Sequence, residues 1–167
     1  MKKILSLTMA LAMLGTALTG CGSKDATTKT PAENAQQTAS VQQEQSQTEK
    51  ALALINTFAT GDTDTARSLL DDGYIQHNLA YGTGADAFIG SVEYLASADV
   101  KTTVNNIRAF EDGDKVFLQT IYNFAGAGEQ VAFDIFRFDE NGKIAEHWDV
   151  METIADQSTW QNQNGKF

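Results

Sequence analysis

The segment Ile144-Ala145-Glu146-His147-Trp148-Asp149-Val150 sets a base and an acid two residues apart. Alternate side chains of a strand share a face, so His147 and Asp149 point the same way. Ile144, Glu146, Trp148 and Val150 point the other way. A carboxyl group beside an imidazole is the equipment of general acid–base catalysis. The same pair also suits a structural hydrogen-bond network or the polar wall of a wet cavity.

Strand pairing decides what joins that pair. Asn141-Gly142 is a strong hairpin signal. As a two-residue turn it sets Arg137 opposite Glu146, Phe136 opposite His147 and Asp134 opposite Asp149. A four-residue loop would set Asp134 opposite His147 and keep the same face; a three-residue loop with a bulge would break the grouping. Taking Gly126-Ala127 as the preceding turn sets Gln119 opposite Asp134 and Phe117 opposite Phe136. This register predicts one polar cluster of Gln119, Asp134, His147 and Asp149, rimmed by Phe117, Ile121, Phe136 and Phe138. Leu118, Tyr122, Phe133, Ile135, Trp148 and Val150 then share the opposite face. Two carboxyl groups so close do not both ionise easily, and one pKa should rise.

Four strand patterns follow Val100: Lys101 to Phe110, Lys115 to Ala125, Glu129 to Phe138 and Lys143 to Met151. Helical patterns precede them. Leu52, Ile55, Phe58 and Ala59 recur at helical spacing and predict a helix over Thr48 to Thr60. Asp62 can cap a short helix over Thr63 to Leu70. Phe88, Ile89, Val92 and Leu95 form the apolar face of a third, Ala85 to Ala96. Tyr74 to Asn78 reads as a short extended piece. Helices followed by consecutive hairpins predict an α+β fold, with helices packed on one face of a curved sheet.

The N-terminal segment has a different character. Met1-Lys2-Lys3 is positive, and Ile4 to Leu18 is apolar. That run is shorter than the roughly 20 residues that span a bilayer, and it suits a signal peptide over 1–20. It ends in Leu18-Thr19-Gly20-Cys21, which resembles a bacterial lipobox and makes Cys21, the only cysteine, the expected lipidation site. The expected location is the bacterial cell envelope, outside the cytoplasm, with membrane attachment through acyl chains at Cys21. Gln, Thr, Ala, Ser and Glu dominate the following stretch, so 21–48 reads as the lipidated cysteine and a disordered tether, with a solvated helix over Ala32 to Lys50 as the alternative. The first aromatic residue is Phe58. The net charge of −10, with no basic patch, argues against a nucleic-acid partner.

Phe133 to Val150, "FDIFRFDENGKIAEHWDV", resembles the SnoaL-like polyketide cyclase family of the nuclear-transport-factor-2-like superfamily. "YIQHN" at Tyr74 and "NQNGKF" at Asn162 are similar to a subgroup described as predicted aldol-condensation proteins. The likeness covers 49–167. It implies a cone-shaped α+β barrel: N-terminal helices on a curved, mixed but largely antiparallel sheet, enclosing an apolar cavity. The His147 and Asp149 face would then be the concave one. The resemblance also implies that Asp149 is the acid/base on a carbonyl compound, with His147 orienting it. His77 and Asn78, at the cavity mouth, would touch the substrate, as would Gln119 and Asp134. Similar sequences often carry a histidine where this chain has Gln119, which can hydrogen-bond but cannot shuttle a proton. No cofactor is implied.

His77 and His147 are the only histidines, and their spacing matches no metal motif, so no metal is expected. There is no nucleophile elbow, phosphate loop or dinucleotide fingerprint. Tyr74, Tyr81 and Tyr94 are candidates to border the cavity or to serve ordinary packing, and Trp160 to cover the cone or dock the C-terminus. Three functions remain in view: an acid–base enzyme, a carrier of a small apolar ligand, and a scaffold or homodimer built through the outer sheet face with Tyr122, Ile135 and Trp148.

Overall fold

The computed structural model describes residues 45–167. The expected signal peptide, Cys21 and nearly all of the tether lie outside the described residues. Helix α1, Gln47–Thr60, starts at a capping box. Ser46 Oγ accepts from the Glu49 N–H at 3.1 Å, and the Glu49 carboxylate accepts from the Ser46 N–H at 2.8 Å. The domain therefore begins slightly before Glu49. Gly61 ends the helix in the left-handed conformation, φ 74°, and a Cβ there would lie 2.8 Å from that of Ala96. Asp62 then caps α2, Thr63–Leu69, accepting from the Thr65 N–H at 2.9 Å. Helix α3 spans Ala85–Ser97.

Five strands follow or interleave with these helices: β1 Leu70–Gln76, β2 Thr103–Asp112, β3 Lys115–Asn123, β4 Gln130–Phe138 and β5 Ile144–Thr153. The sheet order is β1-β5-β4-β3-β2. Strand β1 runs parallel to β5, and the other pairings are antiparallel. Leu54, Ile55, Phe88 and Val92 of the helices pack with Leu118, Tyr122, Phe136 and Phe138 of the sheet in one buried core. The fold is thus the expected α+β arrangement of helices on a mixed, largely antiparallel sheet.

The strand β1 corrects the sequence reading, which ended a helix at Leu70 and saw only a short extended piece from Tyr74. Asp71-Asp72-Gly73 looks like a stop, yet it lies inside the strand, where the β1–β5 register is irregular between Leu70 and Ile75. A bulge absorbs the turn-like residues.

Register tests the two hairpins separately. Arg137 pairs with Glu146, Phe136 with His147 and Asp134 with Asp149, as the two-residue turn predicts. The turn itself is looser. Asp139 caps it, accepting from the Asn141 and Lys143 N–H groups, and the register shifts between Arg137 and Phe138 to restore the alignment. The β3–β4 pair differs. Leu118 lies opposite Asp134, and Gln119 opposite Phe133. The connection is not a two-residue turn: Phe124–Gly126 forms a 3-10 turn, with Ala125 at φ 49° and Asn123 Oδ1 accepting from the Gly128 N–H at 3.1 Å. The resulting one-residue slip turns every β3 side chain to the other face. Tyr122 therefore faces the core, and Gln119, Phe117 and Ile121 face outward.

The outer face is partly covered by the chain's own tail. Gln119 Nε2–H donates to the Lys166 carbonyl at 2.8 Å, while Lys166 Nζ reaches Glu152 on β5 at 2.6 Å. Lys166 thus spans from β3 to β5, and the outward Gln119, Ile121 and Val131 are buried. Phe110, Phe117, Phe133 and Val150 stay exposed.

Candidate functional site

A cavity of about 720 Å3 opens between the helices and the sheet face that they cover. Phe58, Phe88 and Phe124 form part of its wall, and Tyr74, Gln76, Tyr122, Asp134, His147 and Asp149 supply its polar groups. Strands β1, β5, β4 and β3 position these polar groups, each by inward alternation.

The hydrogen bonds set the roles of the polar groups. The Asn78 N–H donates to Gln76 Oε1 at 2.9 Å, which fixes the orientation of the Gln76 amide. Gln76 Nε2–H then donates to His147 Nδ1 at 3.0 Å and to the Tyr74 hydroxyl oxygen at 3.3 Å. Nδ1 is an acceptor in this arrangement, so the ring hydrogen belongs on Nε2. Nε2 lies 3.2 Å from Asp134 Oδ1 and donates to it. The Tyr122 O–H donates to Asp134 Oδ2 at 3.0 Å. Buried Asp134 therefore has a donor at each oxygen, the arrangement that makes burial of a carboxylate tolerable. Phe136 stacks on the His147 ring, with centroids 4.4 Å apart, and holds it in plane.

Asp149 differs from Asp134. Asn78 Nδ2–H donates to its Oδ1 at 2.7 Å, and its Oδ2 has no donor among the described residues. Burial raises its pKa above the ordinary 3.8. The positive charge His147 carries when protonated and the Asn78 hydrogen bond pull it part of the way back, and the Asp134 charge pushes it up again. Burial also raises Tyr74, with the Asp149 and Asp134 charges adding to the effect. The Tyr74 hydroxyl accepts from Gln76, and its own proton has no acceptor among the described residues. A partly buried carboxyl group, an oriented histidine and a buried hydroxyl donor are suited to moving a proton on a ligand held against the cavity wall.

The structure brings together Asp134, His147, Asp149 and Asn78 of the residues expected from the sequence. Gln119 does not join them, because the β3–β4 slip places it on the outer face beneath Lys166. His77 does not face the cavity as a substrate contact. Its ring stacks on Trp148 at 4.4 Å with a 4° interplanar angle, and its Nε2 lies 2.9 Å from Glu146 Oε2. Strand alternation explains this, since β1 sends Tyr74 and Gln76 inward and its continuation sends His77 outward. Tyr122 likewise leaves the expected outer contact surface. Gln76 and Tyr122 are site residues the sequence reading missed. Reading Leu70 to Gln76 as a strand beside β5 would have found the first, and the slipped register the second. Asp134, His147 and Asp149 also bring donor atoms within 4.8 Å of one another, a set that could hold a cation, although Gln76, Tyr122 and Asn78 already engage these groups.

Helices laid on a mixed five-stranded sheet, with polar groups on the face beneath them, give a fold shared with nuclear-transport-factor-2-like proteins. The chain belongs to the SnoaL-like domain family, whose model matches residues 51–147. No curated protein matches the sequence. Among solved structures, it is similar to a nuclear-transport-factor-2-like protein of unknown function from Cytophaga hutchinsonii, with TM-score 0.57 and 16% identity over 66% of this chain and 94% of that one. It is also similar to IdmH, a candidate polyketide cyclase from Streptomyces antibioticus, with TM-score 0.52 and 18% identity over 65% of this chain and 93% of that one. An LEH-like epoxide hydrolase from M. tuberculosis shares the fold at TM-score 0.54 and 18% identity, over 62% of this chain and 80% of that one. At such identities the likeness shows the fold and no more.

Proposed function

We propose that this chain is an envelope-tethered SnoaL-like domain that binds a small, largely apolar carbonyl compound and moves a proton on it with Asp149. One observation carries this reading: Asp149 has one oxygen fixed by Asn78 and the other without a donor among the described residues, in an aromatic-walled cavity it helps to line. In the reaction, Asp149 takes a proton from the carbon next to the carbonyl. The C–H electron pair moves into the carbonyl to give an enolate, whose oxygen accepts from the Tyr74 hydroxyl. The protonated Asp149 then returns its proton to carbon or oxygen. A raised pKa suits both halves of this transfer. His147, with both ring nitrogens engaged, acts by position. The anchor rests on the Leu18-Thr19-Gly20-Cys21 motif.

The same cavity suits a carrier without chemistry. That second reading is favoured by the engagement of His147 and by the absence of Gln119 from the cavity, which leave Asp149 to work with few partners. The exposed Phe117 and Phe133 support a homodimer through the outer sheet face. Deuterium exchange of 2-tetralone in D2O, followed by NMR, separates enzyme from carrier. The enzyme reading expects the wild type to speed exchange of the protons next to the carbonyl, and the folded Asp149→Asn variant to lose that acceleration. Equal exchange rates for both proteins would refute it.

A further inference from the structure

Among the described residues, the cavity is lined by negative charge and by no positive side chain. Asp134 and Asp149 line it, and no lysine or arginine among the described residues does. Its wall is rich in aromatic faces. Phe58 meets Phe124 edge-on at 5.8 Å, and Tyr122 stacks on Phe124 at 4.9 Å. Tyr81 and Tyr94, both exposed lining residues, carry this aromatic surface out to solvent. The negative π faces of such rings attract cations, and low polarity strengthens the attraction. The chain as a whole, at −10, repels anions at longer range.

The same composition leaves proton transfer incomplete. An enolate forming beside Asp134 and Asp149 would gain a hydrogen bond from Tyr74, but no cationic side chain among the described residues lines the cavity to offset its charge. A cation on the substrate itself would supply that charge. We infer that the ligand of this cavity is an apolar amine in its ammonium form, in the simplest case an aminoketone whose nitrogen lies one or two bonds from the carbon that loses its proton. The ammonium then meets the free oxygen of Asp149 and the aromatic wall together. On an aminoketone the same carboxylate reaches both the ammonium and the neighbouring C–H. The adjacent positive charge also makes that C–H more acidic. The inference rests on the cavity reading above, and holds for a carrier as well as for an enzyme.

Three fluorescent probes with one ring system test it: 9-anthracenemethylamine as the cation, 9-anthracenemethanol as the neutral form and anthracene-9-carboxylate as the anion. Titration into the full chain at neutral pH is expected to rank them in that order, with the amine about tenfold or more tighter than the alcohol. In Asp149→Asn the amine's preference over the alcohol should be lost, with an unchanged circular dichroism spectrum as the control for an intact fold. Equal binding of amine and alcohol to the wild type, or an amine preference that survives in Asp149→Asn, would overturn the inference and leave the cavity reading standing. Binding of none of the three would remove both.

Discussion

Asp134 and Asp149 are neighbours with opposite surroundings, and this divides their work. Asp134 is saturated by Tyr122 and His147. Asp149 is half-satisfied, half-buried and raised in pKa, chiefly by desolvation. A carboxyl group whose folded pKa is raised favours folding most below its unfolded value and loses that contribution as pH rises through the folded value. At neutral pH the Asp149 carboxylate is therefore a small cost to stability. Solvent screens a partly exposed group, so the cost is modest. Asp149→Asn is expected to raise the melting temperature at pH 7 by about 1–3 °C, and the gain should shrink as pH falls through the raised folded value and be lost below 3.8. Thermal melts followed by circular dichroism at both pH values measure this. A variant that loses proton transfer while gaining stability would carry the signature of a functional group held at a cost.

At the scale of elements, one strand register decides the site. The sequence alternation of β3 is clear, but it does not say which alternate set faces the helices. The two-residue turn at Gly126-Ala127 selects Gln119. The 3-10 turn at Phe124–Gly126 selects Tyr122. Tyr122→Phe should therefore cost about 1–3 kcal/mol, because it removes a buried donor from Asp134. Gln119→Ala should cost less, since it loosens only the tail contact at Lys166. Urea midpoints of the two variants compare them directly, and the reverse ranking would restore the expected register. The β4–β5 hairpin was legible in advance because Asn141-Gly142 marks its turn, and the bulge at Ala145 restores the alignment that a two-residue turn predicts. The strand β1 was not legible. Its Asp71-Asp72-Gly73 segment has the local chemistry of a stop, and only pairing with β5 makes it extended.

For the molecule as a whole, the described domain and the proposed anchor occupy different parts of the sequence. Cavity, sheet and helices all lie within 45–167. Cys21 lies well before them in the chain. In a bacterial host, Cys21→Ser is expected to move most of the protein from the membrane fraction to the soluble fraction, as detergent-free fractionation and blotting would show. Binding of 9-anthracenemethanol should be the same for both forms. Retention of Cys21→Ser in the membrane fraction would rule out a lipid anchor at that residue.

Residue order alone determined the α+β class, the helix caps at Asp62 and Gly61, and the shared face of Asp134, His147 and Asp149. Each of these follows from short-range periodicity or from one turn, where chain geometry leaves little choice. Tertiary structure decided which residues complete the site. Gln76 enters because β1 pairs with β5, and it orients His147 from a strand 71 residues away in sequence. Tyr122 replaces Gln119 because a loop is longer by a 3-10 turn. His77 turns outward onto Trp148. These outcomes depend on pairings between distant segments, whose energies come from burial and from satisfying polar groups on the cavity floor. No local pattern encodes them.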